Sequence, residues 1–264
     1  MDEWREMNRA WWDERTPQHV TSAFYDLEGF RAGRSDLRPF EVEEMGDVSG
    51  RELVHLQCHF GLDTLSWARL GARVTGLDFS QPAIDAANGL AAELGLDATF
   101  VVSDVYEAPG ALGRTFDIVY TGIGALCWLP DIPRWATVVR DLLRPGGTLY
   151  LVETHPMSDV LGDEDLVVRY PYFHDAPIRD DSPGTYAMPE GPAFVQNTTL
   201  SWIHALSRVI GALLAAGFTI DAFSEHPYTV FGRWPFMTRD DHGRYWLPDD
   251  MPALPLLYSL RATC

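Results

Sequence analysis

The sequence predicts an α/β protein: a mostly parallel sheet of seven strands with helices on both faces and an antiparallel final strand. Three observations carry this expectation. Between Glu52 and Glu153, short runs of strand-forming residues alternate with amphipathic helical runs, as in a parallel sheet covered on both sides. After a further helix, two strand-like runs, FTIDAFSE and LPLLYSLRAT, close the chain and should pair antiparallel at one edge. A chain of 264 residues with 46% hydrophobic content can bury the core of one such domain.

The elements follow in order. The segment EWREMNRAWWDER reads as a helix rich in tryptophan, and HVTSAFYDLEGFRAGRSDLRPF is aromatic without clean periodicity, so residues 1–50 are expected to drape over the scaffold as a lid. Residues 52–153 form the core. Its strands are ELVHLQ, RVTGLD, ATFVVSD, TFDIVYTG and GTLYLVE. Leu62, Leu65 and Ala68 share one helical face, and Gly71 suits a left-handed stop. Ser80 is placed to cap a second helix with a stripe of Ile84, Ala87, Ala91 and Leu94, ended by Gly95. A third helix, DIPRWATVVRDLL, closes at RPGG, where a turn should precede the fifth strand. Residues 154–200, with candidate antiparallel strands at LVVRYPYF and TTLSWIH, read as an insertion walling a pocket beside the sheet. Residues 201–264 supply a last helix, striped by Leu206, Val209, Ile210, Leu213 and Leu214 and ended by Gly217, and the final strands.

Composition excludes several function classes. A formal net charge of −18 repels phosphate backbones and anionic lipid, so neither nucleic acid nor a membrane surface is an expected partner. Cys58, Cys127 and Cys264 lack CxxC spacing and read as reduced thiols. The eight histidines form no HxxxH or HExxH pair, so no metal is expected. No apolar run is long enough to cross a bilayer and the opening segment is charged, which points to a soluble, cytoplasmic protein; the sequence leaves open whether it is a monomer or a homodimer.

The stretch LVHLQCHFGLDTL carries the functional signal. It has the strand–turn–helix layout of a nucleotide-binding unit, but Gln57 and His59 stand where two glycines are usual, and only Gly61 keeps the spacing. A pyrophosphate needs those glycines for close backbone approach, whereas an adenosyl ligand without phosphates tolerates side chains. Asp78 ends the second strand about 20 residues beyond the turn, where a carboxylate accepts ribose hydroxyls. Asp104, after the third strand, suits an adenine amino group.

The series VHLQCHFGLDTLSWARLGARVTGLDFS, SDVYEAP, FDIVYTGIGALCWLPD and LLRPGGTLYLVE resembles the successive motifs of class I S-adenosylmethionine-dependent methyltransferases, particularly bacterial small-molecule enzymes. The resemblance implies a Rossmann-like fold, S-adenosylmethionine as cofactor and S-adenosylhomocysteine as product. It also implies in-line methyl transfer to oxygen, nitrogen or carbon of a small aromatic or heterocyclic acceptor, as in natural-product biosynthesis. It assigns the cofactor to Gln57, His59, Gly61, Asp78, Phe79, Asp104, Val105 and Thr121. The family's first motif begins with an acidic residue followed by alternating glycines. His55, Gln57 and His59 depart from it, so the contact to the methionine amino group is expected from the lid, with Trp12, Arg15, His19 and Tyr25. Two other readings stand beside this one: an NAD-dependent oxidoreductase, weakened by the missing glycines, and a catalytically silent S-adenosylmethionine-binding protein.

Methyl transfer from a sulfonium needs alignment in a dry pocket, and a base only where the nucleophile keeps its proton. Tyr25, His155 and His226 are the candidate bases. The plainer readings are a packed lid tyrosine and histidines bonded to neighbouring loops. Trp12, Tyr228, Trp234 and Phe236 are candidate walls for a flat acceptor, and a second small hydrophobic core is the competing account of the aromatic load.

Overall fold

Leu53, Val54 and Leu56 of β1 (Glu52–Leu56) are wholly buried, which is the condition of a strand covered on both faces. In the computed structural model, which describes residues 3–188, 191 and 193–264, β1 lies inside a seven-stranded sheet. Its other strands are β2 (Arg73–Asp78), β3 (Ala98–Val102), β4 (Phe116–Thr121), β5 (Leu143–Thr154), β8 (Thr219–His226) and β12 (Leu257–Thr263). The spatial order is β3-β2-β1-β4-β5-β12-β8. The first five run parallel, and β12 runs antiparallel to both β5 and β8. Chain direction across the sheet reverses between β1 and β4, so the ligand crevice of such a sheet opens at their carboxyl ends.

The helices are α1 (Glu3–Thr21), α2 (Leu27–Arg31), α3 (Pro39–Met45), α4 (Leu62–Arg69), α5 (Gln81–Leu94), α6 (Ala108–Leu112), α7 (Ile132–Leu142), α8 (Pro156–Asp159) and α9 (Leu206–Ala215). Strand alternation sorts the core into two layers. Leu53, Ile118, Tyr120, Tyr150 and Val152 face α3 and α4, where Trp67 is fully buried. Val54, Leu56, Val119, Leu149 and Leu151 face α7 and α9 across Trp135, whose truncation to alanine costs about 3–5 kcal/mol by the usual measure for core aromatics. Ser80 caps α5 by accepting from the Ala83 N–H, and Gly95 ends it at φ 63°.

Two sequence expectations are corrected. A turn at RPGG should precede the fifth strand, but β5 begins at Leu143, which pairs with Phe116, and the ladder resumes at Thr148 opposite Ile118. Between them the chain bulges: Gly146 sits at φ 75° and donates its N–H to Cys264 O at 2.8 Å, so pairing resumes after a local insertion. LVVRYPYF forms no strand either, because only a single bridge joins Val168 to Leu161. The ribbon in this region instead pairs β6 (Ile178–Asp180) with β7 (Thr199–Ser201), and a second one joins β9 (Tyr228–Thr229), β10 (Thr238–Arg239) and β11 (Tyr245–Trp246).

The N-terminal segment lies across the head of the sheet. α1 packs on α5 and β7. Asn8 completes the β7 edge as a peptide would, donating to Leu200 O at 2.8 Å and accepting from Leu200 N at 2.9 Å.

Candidate active site

The turn after β1 adopts the glycine conformation without the glycines. Gln57, His59 and Gly61 lie at φ 57°, 50° and 82°, all left-handed. For an L-residue that conformation costs roughly 1–2 kcal/mol, and it persists where surrounding contacts hold it. Asp78 supplies one such contact: its Oδ2 accepts the His59 N–H at 2.9 Å while Oδ1 accepts from Ser80 at 2.9 Å. Gly61 is required on steric grounds as well, since a Cβ there would stand 2.8 Å from the Phe100 ring.

Asp78 is buried, and burial pushes its carboxyl up to about 6 against the opposing effect of the Ser80 and His59 amides. Each of its oxygens keeps a lone pair for a further donor. Asp104 accepts from Tyr106 N at 2.8 Å and forms an ion pair with Arg5 of α1 at 2.8 Å. Burial raises its carboxyl, again against the Tyr106 amide. Phe79 is half-buried beside Asp78, and Val105 packs into the core beneath Asp104.

Three buried acceptor atoms on these segments lack a partner among the described residues. They are Gln57 Oε1, Thr121 Oγ1 at the end of β4, and Asp13 Oδ1 on α1. Gln57 also donates through Nε2 to Ala125 O at 2.9 Å. Ribose hydroxyls, an adenine amino group and an ammonium are donors, and these segments offer carboxylates and orphaned acceptors. A pyrophosphate would need the opposite complement, and the His59 amide is already taken by Asp78. The residues present therefore fit an adenosyl group with an amino-acid tail.

The lid brings an aromatic cluster onto the turn. Trp12 meets His59 at 5.0 Å between ring centroids and Trp128 at 5.5 Å. Tyr25 packs on Phe60 at 4.7 Å and shares a hydrogen bond with the Tyr186 hydroxyl. His19 bonds His59 at 3.1 Å through Nδ1 and Thr185 Oγ1 at 2.6 Å through Nε2. Burial, then the Arg15 charge, pushes His19 down to about 4, and burial followed by His19 lowers His59, so both rings are neutral. Arg15 turns instead toward the insertion, donating to Gln196 O at 2.5 Å and Gly184 O at 3.1 Å between the Trp11 and Phe194 rings.

The remaining candidates lie elsewhere. His155 begins α8 with both ring nitrogens engaged: Nδ1 accepts from Met157 N at 3.0 Å and Nε2 pairs with Glu225 at 2.9 Å. His226 ends β8, bonded to Ser259 at 3.1 Å and packed against Phe40 and Tyr228. Trp234 is buried in a separate cluster with Val160, Leu161, Leu247 and Leu256, donates to Gly162 O at 2.7 Å and stacks on Phe236. The structure thus gathers Trp12, Tyr25, Gln57, His59 and Gly61 at the turn. It does not bring His155, His226, Tyr228, Trp234 or Phe236 into that cluster.

Glu153, which the sequence places with His155 at the edge of the pocket, lies near the end of β5. Its carboxylate accepts from Gly124, Leu126 and Thr154 amides at 2.6, 2.8 and 2.7 Å, gripping from one side the loop that Gln57 holds from the other. Burial outweighs these bonds and pushes the carboxyl up to about 7. Behind the loop, a small cavity is lined by Cys127, Glu153, Asp159 and His204 among others.

Residues 54–149 match a family model described as a methyltransferase domain. The fold is shared with an S-adenosylmethionine-dependent methyltransferase from Mesorhizobium loti, at 19% identity and a TM-score of 0.59, covering 89% of this chain and 100% of that one. The likeness to methyltransferases thus lies in the segment 54–149 and in the fold. A magnesium protoporphyrin IX methyltransferase from Synechocystis, solved with bound S-adenosylhomocysteine, shares the methyltransferase fold at a TM-score of 0.50 and 15% identity, over 95% of this chain and 84% of that one. In sequence, the chain is 29% identical over 135 residues to the ubiquinone biosynthesis O-methyltransferase of Salmonella arizonae, covering 50% of this chain and 55% of the relative. The match thus spans about half the length of that curated relative. Among the described residues, no helix of the chain is long and apolar enough to cross a membrane, and no three His, Cys, Asp or Glu side chains gather as a metal site.

Proposed function

We propose that this chain, acting as one catalytic domain, transfers methyl groups from S-adenosylmethionine to a small aromatic acceptor. The observation that carries this reading is the left-handed conformation kept at Gln57 and His59, with Asp78 pinning the second. That geometry preserves the methyltransferase turn while filling it with side chains that a pyrophosphate would not tolerate.

Bound S-adenosylmethionine supplies a methyl group on a sulfonium, which leaves as a neutral thioether when the acceptor attacks. In this proposal Asp78 accepts the ribose hydroxyls and Asp104 the adenine amino group, with Arg5 released from or sharing that carboxylate. Gln57, Thr121 and Asp13 present their unpaired acceptors to the remaining donors. Trp12, Tyr25 and His59 form an aromatic wall above the methyl position, excluding water and favouring a flat acceptor. Tyr25 is the sequence-chosen base candidate that shares this wall. Burial, the first of several causes, holds its hydroxyl well above the ordinary tyrosine range, so it acts as a hydrogen-bond donor that orients the acceptor. The O-methyltransferase name of the Salmonella relative supports oxygen as the methylated atom.

Calorimetric titration with S-adenosylhomocysteine and NAD side by side tests the cofactor. Heat from the first alone is expected, and heat from NAD alone would overturn the assignment. Incubation with methyl-labelled cofactor and a panel of catechols, phenols and indoles then distinguishes turnover from silent binding.

A further inference from the structure

We infer that the carboxyl group of Asp63 takes over from position 55 the task of holding the ammonium of the cofactor's amino-acid tail, an inference that rests on the cofactor assignment above. His55 stands where the resembled motif carries its acid. Its ring is buried, its Nδ1 lies 2.8 Å from Thr64 Oγ1, and burial pushes it down to about 3. A neutral imidazole brings no negative charge to a cation.

Asp63 brings one. It sits in the first turn of α4, on the helix that the 57–61 turn feeds. Its Oδ2 lies 3.2 Å from the point where a Cβ on Gly122 would stand, and His55 Nε2 and the Tyr120 hydroxyl lie 3.4 Å from the same point. Three polar groups from three elements thus converge on a glycine at the head of β4, next to Thr121 with its unpartnered buried hydroxyl. A side chain at position 122 would crowd that convergence.

Charge balance points the same way. The groups facing Asp63 are Asp36 before α3, Arg38 and Glu41 at its start, Tyr120 from β4 and His55 from β1, with Tyr25 and Cys58 also within reach of its charge. Glu41 is buried, accepts the Arg38 N–H at 2.8 Å and takes the Tyr120 hydroxyl at 2.7 Å. These three carboxyl groups therefore face two guanidiniums, that of Arg38 and that of Arg34, which pairs with Asp36 at 2.9 Å. Burial, followed by the charges of Asp36 and Glu41, holds the Asp63 carboxyl well above the ordinary carboxyl range. An ammonium arriving at Asp63 supplies the missing positive charge. The neutral carboxyl then gives its proton to solvent, and the resulting carboxylate pairs with the ammonium.

The test compares S-adenosylhomocysteine with 5′-methylthioadenosine, which has the adenosine and thioether but no amino-acid tail. Calorimetry near pH 7 in buffers of different ionisation enthalpy reads affinity and proton release together. Wild type should release more protons on binding S-adenosylhomocysteine than on binding methylthioadenosine, whose only release is the small fraction from Asp78. Asp63→Asn should weaken S-adenosylhomocysteine about 30-fold or more, leave methylthioadenosine within about twofold, and abolish the difference in proton release. An Asp63→Asn effect equal for both ligands, or absent for both, overturns the inference. If that variant does not fold, wild type alone decides, because equal proton release with the two ligands overturns it too. Wild type that binds neither ligand refutes the cofactor assignment itself, whereas wild type that binds both equally well refutes only the role of Asp63.

Discussion

His19 of α1 and His59 of the turn after β1 are hydrogen-bonded ring to ring, Nδ1 to Nε2 at 3.1 Å. Thr185 of the insertion closes the chain at 2.6 Å on the far side of His19. One lid histidine thus ties three segments that are distant in sequence. Replacing it with alanine removes both bonds and leaves a cavity, at a cost of about 2–4 kcal/mol. His19→Ala should speed amide exchange along residues 3–21 while residues 52–78 keep wild-type protection. Uniform loosening of the whole sheet would show that the lid is not separately fastened.

The same residue makes a pH prediction. Its folded-state value, about 4, lies below the ordinary 6.5, so between these values the unfolded chain binds a proton that the native state refuses. The stability carried by the neutral ring is full above pH 6.5 and is lost as pH falls through 4. His19→Phe should therefore lose less stability than wild type between about pH 7 and pH 4 in urea titrations. Equal losses would mean that His19 is protonated in the native state.

The turn should prefer glycine to alanine. Gln57 and His59 hold left-handed backbone at a penalty that glycine does not incur. Gln57→Gly gives up the bond to Ala125 and regains about 1 kcal/mol of backbone strain, ending near wild-type stability, whereas Gln57→Ala loses the bond and keeps the strain. Denaturant midpoints should rank glycine above alanine at position 57. At position 61 alanine should be severely destabilising, because it adds a clash with Phe100 to the same strain.

What the sequence made legible was whatever repeats locally. The strand runs, the Ser80 cap and the Gly95 stop follow from side-chain type and short spacing, and the structure has them. The RPGG bulge was not legible, since it depends on β4 and on the carbonyl of Cys264, over a hundred residues away. The left-handed Gln57 and His59 were hidden for a related reason: the Asp78 carboxylate that holds His59 lies on another strand. The aromatic load was visible as composition. Its division between the lid cluster at Trp12 and the separate core at Trp234 is decided by long-range packing alone.

Asp78 should be needed for both parts of the ligand's recognition. Asp78→Ala removes the ribose acceptor and frees the His59 amide, so affinity for S-adenosylhomocysteine and for methylthioadenosine should fall alike, by about 30-fold or more. In wild type, methylthioadenosine affinity should hold near pH 7–8 and weaken as pH drops through about 6, where the carboxyl gains a proton and loses acceptor capacity. Retained affinity in Asp78→Ala would move the ribose to another residue.

Glu153 offers the sharpest electrostatic test. Its folded-state value, about 7, stands above the ordinary 4.5, so between these values the native state holds a proton that the unfolded chain has released. Its stabilising contribution is full below pH 4.5 and is lost as pH rises through 7. Glu153→Gln cannot titrate, and it turns an N–H₂ toward one of the amides that the carboxylate now receives, costing about 1–3 kcal/mol. The variant should therefore melt below wild type at pH 6, with the gap narrowing toward about pH 8 as wild type alone loses stability from this group. A gap that stays constant across that range would mean that Glu153 is already ionised at pH 6, with its backbone amides outweighing burial.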